Sequence, residues 1–147
     1  MNPKWKKGRG RLGLLQPLMG SWAAETDSPM GRLTCTREFK FILSGNYIEL
    51  TAKWHFPKGV YHELAVIGIK DDKLSFWSFT SDGKRSEGYL ADGKDIHPDA
   101  ICFEANMPAG LARMIYWPDE DGGFCWAVES KVKKGWNRFA EHKYKAV

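Results

Sequence analysis

Residues 135–146 read GWNRFAEHKYKA, and their alternation decides how the chain folds. Taken by twos, Trp136, Arg138, Ala140, His142 and Tyr144 fall on one side, and Asn137, Phe139, Glu141, Lys143 and Lys145 on the other. Side chains of a strand alternate between its two faces, so the mostly charged second set marks solvent and the first set marks the interior. An arginine and a histidine are thereby pointed inward.

The same period of two runs through almost the whole chain. Segments near 20–27, 32–43, 46–56, 60–70, 73–81, 84–91, 100–107, 111–117, 123–133 and 136–146 alternate or are rich in β-branched and aromatic residues. Between them stand SPMG, SGN, FPKG, KDDK, SDGK, ADGKD, MPAG, PDEDGG and KKG, whose Gly, Pro, Asn and Asp suit turns. Only the stretch from Leu12 to Met19 leaves room for a helical turn, and no segment offers the helix of a parallel crossover. Consecutive antiparallel hairpins follow, and closing them into a barrel removes the open edges of a long sheet. The predicted fold is all-β: a single antiparallel up-and-down barrel of about ten strands with a short N-terminal helical turn.

With 147 residues, 43% hydrophobic and 14% aromatic, the chain supports one domain with a sizeable core. Its net charge is +4, but Lys4, Lys6, Lys7, Arg9 and Arg11 supply five of the 22 basic residues without any acid between them; the other 17 face 18 acids, leaving the body at −1. Because like charges repel, residues 1–10 are expected to be a disordered basic tail and residues 11–147 the barrel domain. Such a tail is not the continuous basic surface that nucleic-acid affinity requires, so no nucleic-acid partner is expected. The stretch LGLLQPLMG is broken by Gln16 and Pro17, too short for a bilayer span and without a small-residue cleavage pattern. A soluble cytoplasmic protein with no membrane span is expected. Cys35, Cys102 and Cys125 are widely spaced without a CxxC pair, which points to buried reduced thiols.

In RLTCTREFKFI the polar residues mark the outside and leave Leu33, Cys35, Arg37, Phe39 and Phe41 inward. Ile48, Leu50, Ala52, Trp54 and Phe56 face in by the same rule, as do Phe124, Trp126, Val128 and Ser130. VYHELAVIGI leaves either His62 or Glu63 interior, and ARMIYW leaves Arg113 open. A guanidinium does not shed its proton, and burying it unpaired is costly. Arg37 and Arg138 therefore need an anion or carbonyl groups, either from the protein, where Glu25, Glu63 or Glu104 could meet Arg37, or from a ligand carboxylate or phosphate.

The candidate binding residues are accordingly Arg37, Trp54, Phe56, Trp126, His142 and Tyr144, with Trp77 as a further lining candidate. The aromatics supply apolar contact, Arg37 a permanent charge, and His142 with Tyr144 adjustable donors near the mouth. No catalytic group stands out: HEL at 62–64 lacks the second histidine of a zinc-protease motif, and Asp71 with Asp72 reads as a turn. The leading reading is non-catalytic binding of a small amphipathic anion, fatty-acid-like, in the barrel cavity. The alternatives are haem held by His142, a filled barrel that uses an outer aromatic strip including Phe79 or Phe139, and a small barrel enzyme.

PLMGSW places a Gly-x-Trp on the first strand after a helical turn, and with an arginine on the last strand this resembles the calycin superfamily of lipocalins and fatty-acid-binding proteins. In that superfamily the tryptophan packs across the closed end against the arginine, so the resemblance implies a structural plug of Gly20, Trp22 and Arg138. LQPLMGSW, FKFILSGNYIEL and HELAVIGIKDDKLSFWSFTSDG, followed by an aromatic hairpin, are similar in order and spacing to a bacterial calycin family of unknown function. PLMGSW also resembles the opening of the nitrobindins, ten-strand barrels that hold haem through a histidine near the end of the last strand. That likeness implies His142 as an iron ligand, and this chain has AAETDS where nitrobindins carry a Gly-Glu-Gly run.

Overall fold

The computed structural model describes residues 5–29 and 31–147. Ten strands follow one another: β1 (Gly20–Ser28), β2 (Gly31–Ile42), β3 (Tyr47–Phe56), β4 (Gly59–Lys70), β5 (Lys73–Thr80), β6 (Arg85–Ala91), β7 (Ile101–Met107), β8 (Gly110–Pro118), β9 (Phe124–Val132) and β10 (Gly135–Ala146). Each pairs antiparallel with its neighbours in sequence, and β1 pairs β10, so the sheet is a closed up-and-down barrel, as the alternation predicts.

The connections alternate between two ends. At one end a 3₁₀ helix, Gly13–Leu18, runs straight into β1 and acts as a plug. Its Leu15 and Leu18, with the preceding Leu12, are buried in the same core as Ile48, Ile67, Leu74 and Ile101. Gly20 turns the chain into β1 with φ +114, a conformation that a side chain would disfavour. Among the described residues the opposite end has no such plug.

From Trp5 onward the N-terminal segment is packed against the barrel, which differs from a solvated tail. Trp5 Nε1 donates to the Asp99 carbonyl at 3.0 Å, its ring packs on the core, and the Gly8 amide donates to the Gly13 carbonyl at 2.7 Å. Arg11 reaches Asp72 at 3.0 Å. The reason is electrostatic. Among the described residues, the connections at the plugged end carry Asp71, Asp72, Asp92, Asp95, Asp99, Asp119, Glu120 and Asp121 against one cation, Lys94. Lys6, Lys7, Arg9 and Arg11 repel one another in isolation but run between the acidic β6–β7 and β4–β5 connections, which attract them. The part of the expected tail at residues 1–4 lies outside the described residues. Trp5→Ala is expected to lower the unfolding free energy by about 1–2 kcal/mol, in proportion to a half-buried ring. Urea denaturation measures this, and an unchanged midpoint would return the segment to solvent.

Strand β10 departs from strict alternation. Arg138 lies opposite Glu129 and Ala140 opposite Val128, so Phe139 is an extra residue in a β-bulge. Before it, Trp136 and Arg138 face outward; after it, Ala140, His142 and Tyr144 face inward. The inward placement of Arg138 is thereby corrected. On the outer wall Arg138 Nε donates to Glu129 at 2.8 Å and its Nη1 to Glu141 at 2.7 Å, with the guanidinium 5.2 Å from the Trp117 ring centre.

Candidate functional site

Arg37 stands mid-strand on the inner face of β2, opposite Trp22 on β1 and Ala52 on β3. It is 1% exposed. Its Nη2 donates to the Tyr116 hydroxyl at 2.6 Å and lies 3.5 Å from the Met114 sulfur. The guanidinium carbon is 5.1 Å from the Trp126 ring centre and 5.4 Å from that of Tyr116. Its Nε and Nη1 are buried without a hydrogen-bond partner, and so is Trp126 Nε1. Among the described residues no carboxylate forms an ion pair with it. Burial opposes its charge, but Tyr116, Tyr144 and Glu63 outweigh this and hold its pKa above the ordinary arginine value.

Arg113 provides the contrast within the same molecule. It is 4% exposed, on the outer face of β8 under the β6–β7 connection. Its Nε donates to Glu129 at 2.8 Å, and its two terminal nitrogens donate to Asp95 at 3.0 and 2.7 Å. The ring of Trp136 lies 4.2 Å from its guanidinium carbon. A buried arginine with a structural role is here neutralised by two carboxylates, and Arg37 has neither.

Above Arg37, toward the unplugged end, lies a cavity of about 390 Å³, within the range of small-molecule sites. Phe76, Phe103 and Val128 give it an apolar wall, Ser86 and Ser130 add hydroxyls, and Phe139 stands at its mouth. Met114 lines it while its sulfur also meets Arg37, so one unbranched, adaptable side chain separates the cavity from the guanidinium. Glu63 and Ser78 line it as well, with the Ser78 hydroxyl donating to the Glu63 carboxylate.

The predicted site residues divide. Arg37, Trp126, His142 and Tyr144 are brought together, with Trp126 4.8 Å from the His142 ring and 6.3 Å from that of Tyr144. Trp54 joins them at 6.5 Å from Trp126, while Phe56 packs against the core closer to the open end. Trp77 faces outward, opposite Val66 and Glu87. Trp22 and Arg138 are not brought together. Trp22 donates to the Leu18 carbonyl at 2.7 Å and meets Phe124 edge-on at 4.9 Å, so it fastens the plug without Arg138. Sequence reasoning left out Met114 and Ser78 and left Glu63 undecided; the pairing of Tyr116 with the inward Trp126 of β9 gives Met114, two residues before Tyr116 on β8, the same inward parity.

Burial first and then Arg37 push the His142 pKa below its ordinary value, and Nδ1 lies 3.4 Å from the Tyr144 hydroxyl. The unfolded chain takes up this proton near the ordinary histidine value, whereas the folded protein does so only at lower pH. Stability should therefore fall as pH drops below that value, and this loss should end once folded His142 is protonated. In His142→Gln this slope in urea midpoint against pH is expected to flatten; an unaltered slope would assign it elsewhere. The thiols are pushed the other way by burial, Cys35 to about 11 and Cys102 to about 12, with Cys125 also raised, so all three favour the unreactive thiol form. Among the described residues no group of three or more His, Cys, Asp or Glu is placed to hold a metal ion.

No family model matches the chain, and no curated protein matches it. Among solved structures it is similar to a chain described as "De novo design of a fluorescence-activating beta barrel", at 22% identity and a TM-score of 0.42, over 65% of this chain and 86% of that one.

Proposed function

We propose that the barrel binds a small amphipathic anion, with a carboxylate or phosphate held at Arg37 and an apolar chain in the cavity. The observation that carries this is the pair of unpartnered donors on Arg37 beside the unpartnered Trp126 Nε1. A permanent charge without a carboxylate partner, held by the Tyr116 hydroxyl and the Met114 thioether with the Tyr144 hydroxyl close by, gains most from an acceptor that reaches its open donors. Rotation of Met114 would join the cavity to that position. Glu63 disfavours a second negative charge near the cavity wall, so a ligand with one acid group and a long neutral chain suits the interior best. On this reading the chain is a barrel carrier that lacks the Trp22–Arg138 plug its PLMGSW opening implies.

Haem at His142 is the second reading, and it would have to use Nε2, because the other ring nitrogen is turned to a neighbouring side chain. The imidazole lies against Trp126 at 4.8 Å, and its Nδ1 faces Tyr144. Iron would need open space beyond Nε2, on an edge of the ring that the Trp126 contact leaves uncovered.

The test is a titration of the full chain with a long-chain carboxylate, the alcohol of the same length, and haemin. Saturable binding of the carboxylate, much tighter than the alcohol, is expected. Equal binding of acid and alcohol, or a Soret band gained with haemin and lost in His142→Ala, would overturn the assignment to Arg37.

A further inference from the structure

The five connections at the open end are charged differently from those at the plugged end. Among their described residues, Lys58, Lys84, Lys133 and Lys134 are basic, and Asp82 is the one acid, 3.9 Å from Lys84. Lys58, Lys133 and Lys134 are exposed and form no ion pair among the described residues. Interleaved with them are exposed apolar side chains: Val60 beside Lys58, Val132 beside Lys133, Met107 at the β7–β8 turn and Phe139 at the bulge. Apolar side chains spread around the rim of a cavity do nothing for the core, and lysines placed next to them keep this rim soluble while preferring a negatively charged counter-surface.

We infer that the open rim docks on an anionic lipid surface with the cavity mouth facing the bilayer. The lysines engage lipid phosphates, and Val60, Val132, Met107 and Phe139 enter the interfacial layer. Charge complementarity selects this occupant. The rim presents positive charge around an apolar opening, a pattern that suits an anionic interface with apolar depth. The plugged end offers the opposite pattern, its acidic connections being offset by the N-terminal segment. No helix among the described residues is long and apolar enough to cross a membrane; the contact proposed is a peripheral one. The inference goes beyond ligand binding and does not depend on what the cavity holds.

The test is flotation of the full chain with vesicles of phosphatidylcholine alone or mixed with phosphatidylglycerol, at low and high salt. Binding is expected only to the mixed vesicles, and high salt should weaken it. Reversing two rim charges in Lys133→Glu/Lys134→Glu should weaken it by at least about twentyfold, taking roughly fivefold per lysine at the surface. Val60→Ser/Val132→Ser should also weaken it, whereas Lys6→Glu/Lys7→Glu at the plugged end should not. Failure to bind mixed vesicles, equal binding to neutral ones, an equal loss in the plugged-end variant, or displacement by a DNA duplex at the same salt would each overturn the inference. Arg37→Met should float like the wild type. A protein that floats but binds no carboxylate therefore refutes the cavity reading alone, and one that binds carboxylate but does not float refutes docking alone.

Discussion

Arg37→Met is expected to bind a long-chain carboxylate about a hundredfold more weakly than the wild type, while unfolding at an equal or higher urea concentration. The two effects have one cause. The guanidinium is 1% exposed and carries two unpartnered nitrogens, so the empty protein bears a desolvation penalty that an incoming anion relieves. Methionine fills similar space without charge. Replacing buried ionic groups by apolar ones of similar volume is often neutral or stabilising by about 1–4 kcal/mol. Opposing this are the contacts of Arg37 with the Trp126 and Tyr116 rings and its bond to the Tyr116 hydroxyl, which together amount to about 2–3 kcal/mol. A variant that binds the carboxylate undiminished would remove Arg37 from the site. One that unfolds several kcal/mol earlier would make Arg37 an architectural residue like Arg113.

Glu129→Ala should behave in the opposite way, lowering the unfolding free energy by about 2–4 kcal/mol and leaving carboxylate binding unchanged. Glu129 is 4% exposed and accepts from Arg113 at 2.8 Å and from Arg138 at 2.8 Å, so its removal takes a charged acceptor from both. Asp95 and Glu141 remain, which limits the damage. Because the cluster lies on the outer face, with strand backbone between it and the cavity, the ligand side should not register the change. Urea denaturation and the same titration check both halves. A loss below about 0.5 kcal/mol would mean that these ion pairs are as weak as surface ones.

Most of the barrel was legible because strand alternation is a local property. The ten segments, their turns and the inward placement of Arg37, Trp54, Phe56 and Trp126 follow from which residues tolerate water. Two kinds of information are not local. The bulge at Phe139 depends on Glu129, which lies on another strand and draws Arg138 to the outer wall, so period two alone placed Arg138 inside. The path of Trp5 to Arg11 depends on acids from separate connections that only the closed barrel gathers at one end. The site was read in part for a similar reason. Charge and aromaticity single out Arg37 and Trp126, but Met114 and Ser78 matter through what stands beside them.

The bulge has a genetic counterpart. With Phe139 present, β10 is two half-strands spliced out of phase, the first serving the outer ion cluster and the second the ring stack that begins at His142. Deleting that single codon would bring the halves into phase, and because Phe139 is the residue without a partner on β9 both pairings would survive, with Arg138 opposite Glu129 and Ala140, now next to it, opposite Val128. Arg138 would keep Glu129 on the outer wall while the rings of His142 and Tyr144 stay inside, and what is lost is the local kink of the strand and the aromatic side chain at the cavity mouth. Substitution at position 139 leaves the splice intact. The strand is therefore tolerant of both spelling and length at this position, so deletion and substitution of this exposed phenylalanine should each spare the outer ion cluster and the inner rings.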